Sequence, residues 1–175
     1  MSTKPLIPPK GMWAIPVTIS TSNPEKQFIE AEVRKVIAKL GPGIDRLDVN
    51  VAKISGEWQG VKQVPDEKSE KLSIAEQYAE LYKDTKEGPV ILYFHGGAYI
   101  VASPDTHRGM TLQLAKGCGG RVFSLQYRLA PQCPFPAALV DAVLAYKYLI
   151  YPPDGALHSS IDPTNIVIAG DSAGV

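Results

Sequence analysis

Ile166-Val167-Ile168-Ala169-Gly170-Asp171-Ser172-Ala173-Gly174 decides how this 175-residue chain is read. Four apolar residues of strand length run directly into a Gly-x-Ser-x-Gly pentapeptide. A serine held in a sharp strand-to-helix turn has strained backbone angles. The flanking glycines remove side chains that would collide with the neighbouring elements. Such a turn lifts the Ser172 Oγ above the sheet edge and aims the Ala173 N–H at the place where negative charge on a substrate oxygen would develop. Three fixed residues at ordinary abundance match somewhere in a chain of this length roughly 6% of the time. The pentapeptide therefore needs support from its surroundings.

Working backwards, Val90-Ile91-Leu92-Tyr93-Phe94 is a second uninterrupted apolar run, bounded by Gly88-Pro89 and by His95-Gly96-Gly97-Ala98. A Gly-Gly pair just past a strand leaves backbone N–H groups unobstructed, which suits an oxyanion-binding loop. Arg121–Tyr127 is a third strand candidate. Thr106–Cys118 and Pro136–Ile150 between the runs read as helices, the first closed by Gly117, Gly119 and Gly120. Strands apolar on both faces, alternating with helices, predict an α/β fold with a mostly parallel sheet covered by helices.

The first half has a different texture. Of 36 charged side chains, 26 lie in residues 1–88 and 10 in 89–175, so the second half reads as core and the first as a more solvated layer. Met12–Thr21 reads as an extended lead-in. A helix is expected over 24–40, with Asn23 as N-cap, Pro24 in its first turn and Ile29, Val33, Val36, Ile37 and Leu40 on one face. Gly41-Pro42-Gly43 would end it. Val49–Trp58 offers a weak strand, and Ser69–Lys86 a helix capped by Ser69 or Ser73, with Leu72, Ala75, Tyr78, Ala79 and Tyr82 along one side. The expected division is 1–60 as lead-in and helix, 61–175 as core.

Composition excludes several classes. Lys plus Arg equals Asp plus Glu at 18 each, so no basic field for nucleic acid exists. Two cysteines, Cys118 and Cys133, are too few for a disulfide framework, and the start has no apolar signal segment. No apolar run approaches membrane-spanning length. The expected compartment is cytoplasmic. His95 and His107 lack acidic or thiol partners at ligand spacing, so no metal is expected. No phosphate-binding glycine fingerprint occurs, so no cofactor is expected either. The oligomeric state is not readable.

One further cluster completes the pattern: Tyr127-Arg128-Leu129-Ala130-Pro131, then Pro134-Phe135-Pro136-Ala137 and Asp141. Together with His95-Gly96-Gly97-Ala98 and Gly170-Asp171-Ser172-Ala173-Gly174, in this order, it resembles the hormone-sensitive lipase family of α/β hydrolases. The Tyr-Pro-Pro at 151–153 is similar to fungal esterase-like members. The resemblance is firm over 88–175 and loose over 12–60. It implies hydrolysis of small carboxylic esters, with Ser172 as nucleophile and Gly97, Ala98 and Ala173 as oxyanion donors. Gly96 would shape their loop, helix 24–40 would act as a lid, and Ala98 stands where the family commonly has a third glycine. His95, Asp171 and a buried Arg128–Asp141 ion pair would give structural support.

The family's acid and histidine follow the nucleophile, whereas His95, His107 and His158 all precede Ser172. A chymotrypsin-like order through His95 or His107 and Asp141 would need an all-β fold, which the helical pattern opposes. The expectation is therefore the N-terminal part of a serine esterase, an incomplete α/β-hydrolase fold ending at the nucleophile turn and inactive alone. The alternative is a non-catalytic, truncated hydrolase-like protein that binds a ligand or partner.

Overall fold

The computed structural model describes residues 6–41, 47–64, 66–69 and 71–175. Its strands are β1 (Met12–Ile19), β2 (Ile54–Val61), β3 (Val90–Phe94), β4 (Arg121–Gln126) and β5 (Ile166–Gly170). The helices are α1 (Asn23–Ile37), α2 (Asp66–Ser69), α3 (Ile74–Thr85), α4 (Arg108–Cys118) and α5 (Ala137–Ile150). The strands form one sheet in the order β1-β2-β4-β3-β5. β3 is parallel to both β4 and β5, while β1–β2 and β2–β4 are antiparallel. The α/β expectation is met, but the sheet is mixed rather than mostly parallel.

The antiparallel part corrects the reading of the first half. Met12–Thr21 is no lead-in: Met12 pairs with Val61 and Ile19 with Ile54. Pro16 is tolerated because β1 is an edge strand, where a missing N–H breaks no ladder to a further neighbour. β2 starts at Ile54 rather than Val49, because the preceding stretch is spoken for by α1. Arg34 Nη2 donates to the Val49 carbonyl at 2.9 Å, and the Val51 N–H donates to Glu30 Oε1 at 2.7 Å. A division at residue 60 falls inside β2, so the described residues share one sheet.

Ser22, not Asn23, caps α1, through a capping box in which Glu25 Oε2 receives the Ser22 N–H at 3.1 Å. Ile29, Val33 and Ile37 face the core, whereas Val36, at the edge of that stripe, and Leu40, in the 3₁₀ segment that begins at Ala38, are exposed. The expected stop at Pro42-Gly43 lies outside the described residues. Lys147 Nζ of α5 binds Glu25 Oε1 at 2.5 Å, tying α1 to the helical layer. α3 is capped by Ser73, again with a capping box, and buries Tyr78, Leu81 and Thr85. Ala75, Ala79 and Tyr82 are exposed, so its inner face is rotated from the expected one.

Side chains of β3 alternate, as the two-residue period of a strand requires. Val90 and Leu92 join the main core with Trp58, Phe123, Leu125, Val140 and Leu144. Ile91 and Tyr93 point the other way, to Val122 and to Ala115 of α4. Burying each of the large aliphatic or aromatic side chains contributes about 1.5–3 kcal/mol. α4 is also fixed by polar contacts, with Arg108 Nη2 on Glu57 Oε1 at 2.5 Å and Thr111 Oγ1 on Gln59 Oε1 at 2.6 Å. β5 lies at the sheet edge, and its Val167 and Ile168 are exposed. No helix of the described residues is long and apolar enough to cross a membrane.

Candidate active site

Parallel pairing of β3 with β5 brings two distant motifs together. Phe94 pairs with Gly170, so the loop from His95 and the turn from Asp171 leave the sheet side by side. Ser172 sits at φ 49°, a left-handed conformation costly for a residue with a Cβ. A short 3₁₀ turn follows, in which the Gly174 N–H donates to the Asp171 carbonyl at 2.8 Å. A Cβ on Gly174 would lie 2.0 Å from the Phe94 carbonyl oxygen, and one on Gly170 would lie 2.2 Å from that of Gly174. Both glycines are therefore steric requirements of the turn. Ser172 itself is exposed, and its Oγ makes no hydrogen bond among the described residues.

The His95–Ala98 loop is held against this turn by one carboxylate. Asp171 Oδ1 accepts from the Gly96 N–H at 2.8 Å and from the Tyr93 hydroxyl at 2.7 Å, and lies 3.4 Å from His107 Nε2. Burial pushes the Asp171 carboxyl up, but these donors outweigh it and hold it below the ordinary range. Burial and the Asp171 charge raise the Tyr93 phenol, which keeps its proton as a donor. A Cβ at position 96 would lie 2.3 Å from Asp171 Oδ2, so glycine there lets the carboxylate approach. The Gly96 N–H is thus used internally, and Gly96 ties its loop to the Ser172 turn.

Beyond Gly96 the chain turns through positive φ at Gly97 (113°), Ala98 (54°) and Tyr99 (61°). The Ile100 N–H closes the turn on the Gly97 carbonyl at 2.9 Å, and the Ala130 N–H anchors it on the Tyr99 carbonyl at 2.7 Å. The N–H groups of Gly97 and Ala98 have no acceptor among the described residues. Ala98 adopts a backbone shape that glycine takes without strain, which gives its methyl group a conformational cost.

His95 is fully buried and supports the loop. Its Nδ1 donates to the Gly96 carbonyl at 2.7 Å, and its ring stacks on Tyr127 with centroids 4.2 Å apart. The Tyr127 hydroxyl in turn donates to the His95 carbonyl at 2.5 Å. Burial lowers the His95 pKa, so the ring is neutral. Arg128 and Asp141 form the expected ion pair at 2.7 Å, with the carboxylate fully buried. Burial raises the Asp141 pKa, against the pull of Arg128. The same carboxylate accepts the Arg128 N–H at 2.8 Å and so fastens the chain after β4 to α5. It makes no contact with a histidine, which closes the chymotrypsin-like route.

A cavity of about 310 Å³ adjoins the turn, walled by Phe94, Tyr99, Tyr127, Phe135, Leu139 and Ala173. Its wall is mainly apolar, and no described residue of α1 lines it. Cys118 and Cys133 are both free thiols. Among the described residues no group of three His, Cys, Asp or Glu side chains could hold a metal. Sequence reasoning missed Tyr93 and His107 as partners of Asp171. Strand periodicity places Tyr93 on the α4 side of the sheet, but only the fold brings it beneath residue 171.

Comparison with known proteins agrees with this geometry. A family model for the alpha/beta hydrolase fold matches residues 91–175. An acetyl-hydrolase of Streptomyces hygroscopicus is 42% identical over 89 residues, covering 51% of this chain and 27% of that enzyme. Esterase LipI of Mycobacterium tuberculosis is 43% identical over 91 residues, covering 52% of this chain and 28% of its own length. The solved structure EstE5-PMSF is 30% identical with a TM-score of 0.50, over 85% of this chain and 41% of that one. The chain therefore spans about a quarter of the length of the curated relatives it matches. These findings extend the resemblance to α/β-hydrolase esterases.

Proposed function

Residues 91–175 carry the α/β hydrolase fold, and from that premise we propose that they form the nucleophile half of a serine carboxylic ester hydrolase. Ser172 attacks the ester carbonyl carbon, its Oγ proton passes to a base, and the alcohol leaves as the acyl-Ser172 ester forms. Water then attacks this ester, releasing the carboxylate and restoring the Ser172 hydroxyl. The N–H groups of Gly97, Ala98 and Ala173 receive the charge that develops on the carbonyl oxygen. Each such donor is worth on the order of 10²–10³ in rate. The observation that carries the reading is the Asp171 carboxylate, which fastens the His95–Ala98 loop to the Ser172 turn through the Gly96 N–H at 2.8 Å. That link presets the distance between the two donor groups before substrate arrives.

The apolar cavity beside Ala173 favours short acyl or aryl esters over charged ones. None of the three histidines is placed as the base. His95 is buried beneath the loop, both nitrogens of His107 are turned to Asp171, Thr106 and Ser103, and His158 lies against Tyr148. The 175-residue chain alone is accordingly expected to turn over esters poorly, at the level that oxyanion donors and binding support, about 10³–10⁴ over water.

A fluorophosphonate probe applied to the chain, followed by peptide mapping, tests the assignment. Adduct formation on Ser172, abolished by Ser172→Ala and faster than on other exposed serines, is the expected result. Labelling spread evenly over surface serines such as Ser159 would mean that the oxyanion donors give Ser172 no advantage, and would overturn their assignment.

A further inference from the structure

At the other end of the sheet, where β3 and β4 begin, a second cavity of about 360 Å³ is walled by Arg121, Tyr78, His158, Lys86 and Asp162 among others. Arg121 is only 5% exposed. Its Nη1 donates to the Thr85 carbonyl at 3.3 Å, at the end of α3, and its Nε has no acceptor among the described residues. The guanidinium carbon lies over the rings of Tyr82 and Trp58, 5.1 and 5.6 Å from their centroids. The comparably placed Arg108 and Arg128 each hold a carboxylate, from Glu57 and Asp141. Arg121 has none within ion-pair distance among the described residues. A helix C-terminus and two ring faces supply only partial negative charge. A cation so deeply buried ordinarily has a full counter-charge.

Two neighbours add to the case. Tyr78 is 5% exposed, and its hydroxyl accepts a contact from Arg121 that falls short of full hydrogen-bond geometry, with no other partner among the described residues. His158 keeps a proton on Nε2 to meet the Tyr148 carbonyl at 3.1 Å, and burial keeps the ring neutral, so it adds no charge. Across the wall, Arg121 and Lys86 oppose Asp162, leaving one net positive charge. That balance fits a monoanion better than a phosphate dianion. Val90, Leu157 and Ile161 offer apolar surface beside the charged groups.

We propose that this cavity binds a small organic carboxylate, its oxygens taken by the Arg121 fork and the Tyr78 hydroxyl and its carbon skeleton lying against Val90 and Ile161. The site lies apart from Ser172 and does not depend on the esterase reading. Trp58, beside Arg121, is a built-in reporter. The full chain is titrated with butyrate and, in parallel, with inorganic phosphate at matched ionic strength, reading tryptophan fluorescence and heat.

The expected result is saturable butyrate binding, weakened about tenfold or more by Arg121→Gln, as loss of a charge-assisted pair implies. Tyr78→Phe keeps the ring and deletes only the hydroxyl, so it tests the site even if Arg121→Gln unfolds; it is expected to weaken binding about threefold to tenfold. Absence of saturation up to about 50 mM, below which even contacts this weak register, overturns the proposal. So does unchanged affinity in Tyr78→Phe, or phosphate binding more tightly than butyrate.

Discussion

Acidification from pH 7 to pH 5 should destabilise this protein chiefly through His158. The ring is 7% exposed, packed edge-on against Trp58 and Tyr148. Burial holds its pKa down to about 4 from the ordinary 6.5. As pH falls below 6.5 the unfolded chain takes up a proton that the folded chain refuses. The stabilisation is therefore complete above 6.5 and drains away until the folded ring also titrates near 4. Each pH interval of one over which only the unfolded chain holds that proton costs about 1.4 kcal/mol, so the loss between pH 7 and pH 5 is about 2 kcal/mol. Asp171, Asp105 and Glu25 have lowered carboxyl pKa values, so their losses fall at lower pH. His95 acts in the same direction as His158, which makes a matched variant necessary. His158→Gln retains a donor for the Tyr148 carbonyl and cannot titrate. Urea unfolding read by tryptophan fluorescence at pH 7, 6 and 5 gives the free energies by linear extrapolation. The parent should lose about 2 kcal/mol more than His158→Gln over this interval. Equal losses in the two proteins would refute the buried-imidazole argument.

Three other substitutions probe the site and its support. Asp171→Ala frees the Gly96 N–H and the Tyr93 hydroxyl together, and should slow fluorophosphonate labelling of Ser172 by roughly 10–100-fold through misplaced oxyanion donors; an unaltered rate means that the carboxylate does not position the loop. Asp141→Ala strands Arg128 and its main-chain N–H, costing about 3 kcal/mol in urea unfolding, whereas Glu32→Ala at an exposed pair should cost under about 0.5 kcal/mol. Ser172→Gly relieves the left-handed strain at φ 49° and should raise stability by about 1 kcal/mol while abolishing labelling, so a decrease in melting temperature would count against strain at the turn.

What can be read from residues alone is local. The run Val90–Phe94 has legible ends because Gly-Pro and Gly-Gly stop a strand wherever they occur, and Ala137–Ile150 carries a helical pattern strong enough to survive any context. The Ser172 turn is legible because its glycines answer a steric demand within the same pentapeptide. β1 is hidden because Pro16 interrupts its pattern, and only antiparallel pairing with β2, some forty residues on, supplies its hydrogen bonds. The start of β2 is obscured for a similar reason: hydrogen bonds from α1 occupy the preceding chain.

The site divides along the same line. Short-range sequence names the loop at Gly97 and Ala98 and the turn at Ser172, because positive φ and small side chains leave a local signature. That Gly96 gives its N–H to Asp171, that Tyr93 and His107 converge on the same carboxylate, and that Arg121 is buried with no acid beside it among the described residues are settled by the parallel pairing of β3 with β4 and β5 and by the packing of α3 and α4. Those contacts join residues up to 78 positions apart. No local propensity encodes them, because the energy of a hydrogen bond or ion pair depends on which groups the fold brings within reach and how completely it removes them from water.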